Sequence, residues 1–177
     1  MLSRRKLFKY TLIAGGLVSV GFLVKDSDKQ IPQFLAQYEW QNLSQAEAFL
    51  LLLFVRVMHD YSDEVMTEQT ALAQLTQIDK LLGVLTVSQR DELLMLLNIL
   101  ETNLGRLLLA KRWQDWDELK LSQLNSVLDE WRGSSIQLLN TTYTGLKELL
   151  QGVWYADSEH WSAIGYPGPP QIGRPDV

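Results

Sequence analysis

The sequence predicts an all-α, single-domain bundle of about five helices that ends in an extended aromatic tail rich in proline and glycine. Three observations carry this. Apolar residues recur three or four positions apart through most of residues 43–153, the spacing of one helix face. No alternating strand pattern survives beyond a few residues. Four of the five prolines lie from Pro167 onward, beyond the periodic body. A chain of 177 residues, less a leader of about twenty-five, has room for one core.

The leader is residues 1–25. Ser3-Arg4-Arg5-Lys6-Leu7-Phe8-Lys9 precedes a stretch from Tyr10 to Val24 with no charge. Paired arginines ahead of a short apolar run read as a twin-arginine export signal, with Ser3, Arg4, Arg5, Phe8 and Lys9 as its recognition residues. That signal is read by the Tat translocase and places the chain in the periplasm. The apolar run falls short of the ~20 residues that span a bilayer as a helix, and Gly15, Gly16 and Gly21 weaken it further. Ser19-Val20-Gly21 is the best small-x-small cleavage candidate. Without cleavage, the leader becomes a membrane tether.

Residues 26–42 read as a linker, charged at first and broken by Pro32. Helical structure begins at Ser44, where Ser44-Gln45-Ala46-Glu47 forms a capping box. Ala48 to Met58 is apolar on nearly every side, with Arg56 its only charge. A helix apolar all round is buried all round, so this one belongs at the centre. The segment Ser62 to Leu82 is more polar, with Val65, Leu72, Leu75, Ile78 and Leu82 in phase and Gly83 placed as its stop. Ser88 opens a stronger helix with Leu93, Leu97, Leu100, Leu104 and Leu108 along one stripe. A loop bearing Trp113 and Trp116 follows. Leu121, Leu124, Leu128 and Trp131 continue at helical spacing up to a break at Gly133. The last helix carries Ile136, Leu139, Tyr143, Leu146, Leu150 and Val153, a narrow stripe suited to packing against other helices. From residue 154 to 177 the prolines and aromatics predict an extended, polyproline-like strap.

Charge and composition exclude several functions. Five of the 16 basic residues lie in the leader, so beyond Lys25 eleven face 21 acidic ones. Such an acidic body is unsuited to nucleic acid, whose phosphates require basic patches. The chain has no cysteine, which removes disulfides, thiolate metal sites and covalent haem attachment. His59 reads as a capping or dipole contact at a helix end, and His160 as a solvent-facing loop residue. Asp115, Asp117 and Glu118 lack the spacing of a calcium loop and read as a solvated acidic turn. No nucleophile–base pair or ligand cluster is visible, so a hydrolase or metalloenzyme has no support.

Three stretches together resemble a known family. They are Leu43-Ser44-Gln45-Ala46-Glu47-Ala48, then Val127-Leu128-Asp129-Glu130-Trp131 with Ser134 or Ser135, and the ending Trp154-Tyr155…Trp161…Ile164-Gly165-Tyr166-Pro167-Gly168-Pro169. The set resembles the small subunit (subunit 3, or gamma) of membrane-associated gluconate 2-dehydrogenase and related sugar and alcohol dehydrogenases. The Gly165-to-Pro170 ending is its most specific piece. The resemblance implies an accessory subunit, not itself an enzyme, that carries the export signal for a large flavin dehydrogenase of the glucose-methanol-choline type. FAD and substrate would then sit in that partner, and a multihaem cytochrome c often completes the complex. Attachment to the membrane would come through the leader or the complex. The chain departs from the family in lacking cysteine and a clear cleavage motif.

Trp154, Tyr155, Trp161, Gly165, Tyr166, Pro167, Gly168 and Pro169 are the candidate partner contacts, since Trp and Tyr are enriched at interface anchors. The same aromatics could instead fold back over this chain's own bundle. A different function class also fits the leucine-rich interior: a freestanding periplasmic helical module that binds a small apolar ligand between its helices.

Overall fold

The computed structural model describes residues 31–61 and 66–169. Ser3, Arg4, Arg5, Phe8 and Lys9, the residues expected to form an export signal, lie outside them. Among the described residues there are seven helices and no strand: α1 (Gln33–Ala36), α2 (Gln45–Met58), α3 (Glu68–Val84), α4 (Val87–Glu101), α5 (Asn103–Gly105), α6 (Leu121–Arg132) and α7 (Gln137–Ala156). The expected helical bundle is what forms. Helix α5 runs directly into a π-helical turn, Arg106–Ala110, and short 3-10 turns occupy Trp116–Glu118, Ser158–His160 and Ser162–Ile164.

Helix α2 is the axis of the bundle, as its all-round apolar surface predicts. It touches α1, α3, α4, α6, α7 and the Trp116–Glu118 turn, and every residue from Glu47 to Val55 is buried. Its start is the anticipated capping box: the Glu47 N–H donates to Ser44 Oγ (3.2 Å) and the Ser44 N–H to Glu47 Oε2 (2.7 Å). The second Glu47 oxygen accepts from Asn98 Nδ2 at 2.9 Å, tying the cap to α4. At mid-helix, Phe54 packs against two indoles, Trp116 at 5.7 Å and Trp131 at 5.9 Å between ring centroids. All three rings are almost completely buried. Each indole N–H must then find an acceptor, and both do: Trp116 donates to the Leu100 carbonyl and Trp131 to the Leu109 carbonyl, each at 2.7 Å. The aromatic centre thereby also satisfies chain ends of its neighbours.

Several boundaries differ from the sequence expectation, each for a local reason. Helix α3 begins at Glu68 behind a Thr67 cap, and it runs through Gly83 to Val84. A glycine commonly ends a helix by turning left-handed just past it. Gly83 does not, and the chain leaves the helix at Leu85 with extended angles. The next helix starts at Val87, one residue before Ser88, because Thr86 and Gln89 make a capping box of their own.

The long leucine stripe is broken at Thr102. Its Oγ1 accepts from the Gly105 N–H (2.9 Å), capping a new helical start, and the two segments meet at 88°. Gly105 is required by space: a Cβ there would lie 1.8 Å from the Ile99 carbonyl oxygen. Leu104 and Leu108 therefore leave the core line, and Leu108 is 51% exposed. In the loop that follows, Trp113 projects into solvent while Trp116 enters the core. The acidic turn is not simply solvated: Asp115 pairs with Arg106, a guanidinium buried in the π-turn and also bonded to Asn103 Oδ1 (2.6 Å).

The described part of residues 26–42 is not a free linker. Leu35 is fully buried, and Trp40 Nε1 donates to its carbonyl at 3.1 Å. The buried carboxylate of Asp79 accepts from the backbone N–H groups of Gln41 (3.0 Å), Asn42 (2.8 Å) and Leu43 (3.1 Å). Asn42 returns a bond to the Asp79 carbonyl at 2.9 Å. Stranding buried N–H groups costs about 1–3 kcal/mol each. Asp79→Ala is accordingly expected to lower the unfolding free energy by roughly 2–4 kcal/mol in urea titration; a loss below about 0.5 kcal/mol, the scale of surface substitutions, would show the clamp to be dispensable.

Candidate functional site

As far as Ile164 the expected strap is folded rather than extended. Helix α7 continues through Trp154 and Tyr155 to Ala156, and the two 3-10 turns carry the chain to Ile164. Proline restricts only itself and its predecessor, and in the tail the first proline is Pro167. Nothing before it forbids helical turns. Gly165, at φ 68°, ends the second turn in the left-handed conformation that glycine adopts without cost. The Tyr166 N–H bonds back to the Trp161 carbonyl at 2.9 Å. Gly168 is also left-handed (φ 98°), and a Cβ there would approach the Trp161 ring to 3.2 Å.

These turns gather most of the predicted aromatic residues into one cluster against the C-terminal ends of α2 and α7. Trp154 is its hub. Its indole donates to the Tyr61 hydroxyl at 3.0 Å. His160 stacks on it at 4.5 Å and nearly parallel, His59 lies beyond at 6.0 Å, and Tyr155 meets it edge-on at 5.1 Å. Trp161 donates to the Tyr155 carbonyl (2.8 Å) and meets Tyr166 edge-on at 5.2 Å. Trp154 and Trp161 are therefore half-buried anchors on the chain's own bundle. Tyr155, Ile164 and Tyr166 form an exposed rim, at 51%, 47% and 43% exposure. Pro167 and Pro169 are exposed beside it.

His160 differs from its sequence reading, whereas His59 keeps the helix-end position expected of it. His160 faces the indole rather than open solvent, and its Nδ1 lies 3.0 Å from the Trp154 carbonyl. A carbonyl can only accept, so Nδ1 carries the proton and a neutral ring offers Nε2 as acceptor. His59 does occupy the C-cap of α2, but its ring packs beside Tyr61 and Trp154. Its Nε2 is buried without a hydrogen-bond partner. Burial, chiefly, holds the His59 pKa below its ordinary 6.5; the charge of His160 acts in the same direction, and a bond with the Leu150 backbone opposes them. Among the described residues no three or more His, Asp or Glu side chains converge as metal ligands, and no single helix is long and apolar enough to cross a membrane.

No protein-family model matches the chain, and neither a curated protein nor a solved structure is similar to it.

A depressed folded-state pKa means that the neutral imidazole is the form the fold prefers. The contribution of His59 is thus present above about pH 6.5 and is lost as the pH falls through its folded value. Between about pH 7.5 and about pH 5 the urea midpoint is expected to fall more in the native sequence than in His59→Phe. Equal falls in the two proteins would remove His59 from the linkage.

Proposed function

We propose that this chain is the non-catalytic small subunit of a periplasmic, membrane-associated, FAD-dependent dehydrogenase of gluconate or a related sugar or alcohol. Its role is in the export and assembly of the large catalytic subunit, of the glucose-methanol-choline type. The observation that carries the reading is the Arg4-Arg5 export signal on a helical body whose ending, Gly165-Tyr166-Pro167-Gly168-Pro169, resembles that family. The twin-arginine route transports folded proteins, so one signal serves a pair that assembles before crossing. FAD belongs to the partner; a multihaem cytochrome c subunit and the Tat translocase are the further partners this reading requires.

The folded tail supports the partner surface. An aromatic rim held in place from beneath loses little side-chain freedom on binding, which favours affinity. Trp154 and Trp161 supply that support, and Tyr155, Ile164 and Tyr166 supply the contact.

Two experiments test the assignment. With Arg4 and Arg5 both changed to Lys, periplasmic dehydrogenase activity is expected to fall to background while the large subunit accumulates inside the cell. Normal export of the large subunit beside the altered leader would end the escort role. Separately, Tyr155→Ser, Ile164→Ser and Tyr166→Ser combined should cost about 0.5–1.5 kcal/mol for each aromatic pair lost and leave the helical body folded, yet abolish co-purification with the dehydrogenase. Undiminished co-purification would place the interface elsewhere.

A further inference from the structure

We propose that the turn between α3 and α4 is a membrane-contact surface, with Val84 and Val87 seated in the interfacial layer of the bilayer to which a retained leader tethers the chain. The inference rests on the membrane-associated reading above and adds which end of the bundle meets lipid. Val84 and Val87 are 79% and 65% exposed, with Leu85 half-buried between them. From Leu81 to Gln89 the chain carries no charge. Single exposed apolar residues are ordinary on a protein surface. What gives this pair a meaning is where the turn lies.

The chain enters the bundle at the same place. A Cβ on Gly83 would lie 3.2 Å from Asn42 Nδ2, and Asn42 is bonded to Asp79, one turn earlier in α3. Gln45 Nε2 donates to the Ala36 carbonyl at 2.8 Å, which keeps α1 at this end too. Only the six residues Lys25 to Gln30 separate Ile31 from the apolar run ending at Val24. The seven peptide steps between them span at most about 25 Å. A leader lodged in a bilayer therefore holds this end of the bundle near the lipid surface. Residue type then separates lipid from a protein partner. Trp, Tyr and Arg dominate protein interface anchors and Val is under-represented there, whereas an uncharged aliphatic pair fits the acyl boundary. The Thr86 N–H donates to Gln89 Oε1 (3.2 Å) and the Gln89 N–H to Thr86 Oγ1 (3.4 Å). Two N–H groups of the turn thus have partners without water, which suits a layer hostile to open backbone. Helix α2 runs from this end toward the aromatic rim, and its 14 residues cover about 20 Å. The bundle stands on the membrane with its rim facing away from it.

The chain has no cysteine, so Val84→Cys and Tyr155→Cys each give the full-length protein a single position for a fluorophore. The labelled proteins are reconstituted, leader included, into phosphatidylcholine vesicles that contain lipid spin-labelled near the top of its acyl chain. The fluorophore at position 84 is expected to lie about 5–10 Å inside the headgroup boundary and to be quenched, and the one at position 155 to remain unquenched. Val87 is the first residue of α4, where an acidic side chain suits the helix dipole. Adding Val87→Asp should therefore keep the fold and relieve the quenching, while the leader still holds the protein on the vesicles. Equal quenching at the two positions, none at position 84 in vesicle-bound protein, or quenching that survives Val87→Asp would each overturn the proposal. Shielding of position 84 by added dehydrogenase instead of lipid would assign the surface to the catalytic subunit, and shielding that grows with protein concentration would assign it to a second copy. Loss of the full-length protein from the vesicles would remove the tether along with the contact; the escort role is judged separately, by export of the large subunit.

Discussion

The packing of Phe54 between Trp116 and Trp131 sets the terms for the whole bundle. Those rings reach the axis from two directions, one from the loop after the π-turn and one from α6. Large aromatic side chains bury about 150–250 Å² each and dominate core energetics. Here they also solve a hydrogen-bonding problem, because their N–H groups cap the Leu100 and Leu109 carbonyls. The carbonyls at the end of a helix have no partner within it. The same contact that fills the core thus finishes the segments on either side of the 88° bend. With α2 apolar on all faces, neighbours must surround it, and the two indoles fix where the later ones arrive.

Around that centre, polar side chains act mainly as terminators. Ser44, Thr67, Thr86 and Thr102 each accept a backbone N–H at a helix start. Glu47 and Asp79 are buried acids whose oxygens are taken up by backbone or amide donors. Buried carboxylates are tolerated on such terms. In a chain without cysteine, these local bonds and the apolar core hold the described fold together.

The helical content and the central place of α2 were legible in the sequence, because both follow from hydrophobic period and from one capping box. The terminations were less so. Gly83 looked like a stop, but a glycine can also sit inside a helix, as it does here, and its backbone conformation is not legible in composition. Leu104 and Leu108 sit in phase with Leu93 and Leu97, and only the Thr102 cap with the steric need for Gly105 shows that the phase is broken. In the candidate site, Trp154, Tyr155, Trp161 and Tyr166 were marked by residue type and by the resemblance of the ending that holds them. Their joining to His59 and Tyr61 was not legible, since the Tyr61–Trp154 bond links residues 93 positions apart.

The Asp79 clamp has a mechanical corollary. Its acceptors engage the main chain at Gln41, Asn42 and Leu43 rather than any side chain. Tension arriving along the polypeptide from the N-terminal direction reaches those three parallel bonds before it reaches Ser44 and the first turn of α2. The load is thereby diverted into the middle of α3, and the axial helix is shielded from being peeled open at its end.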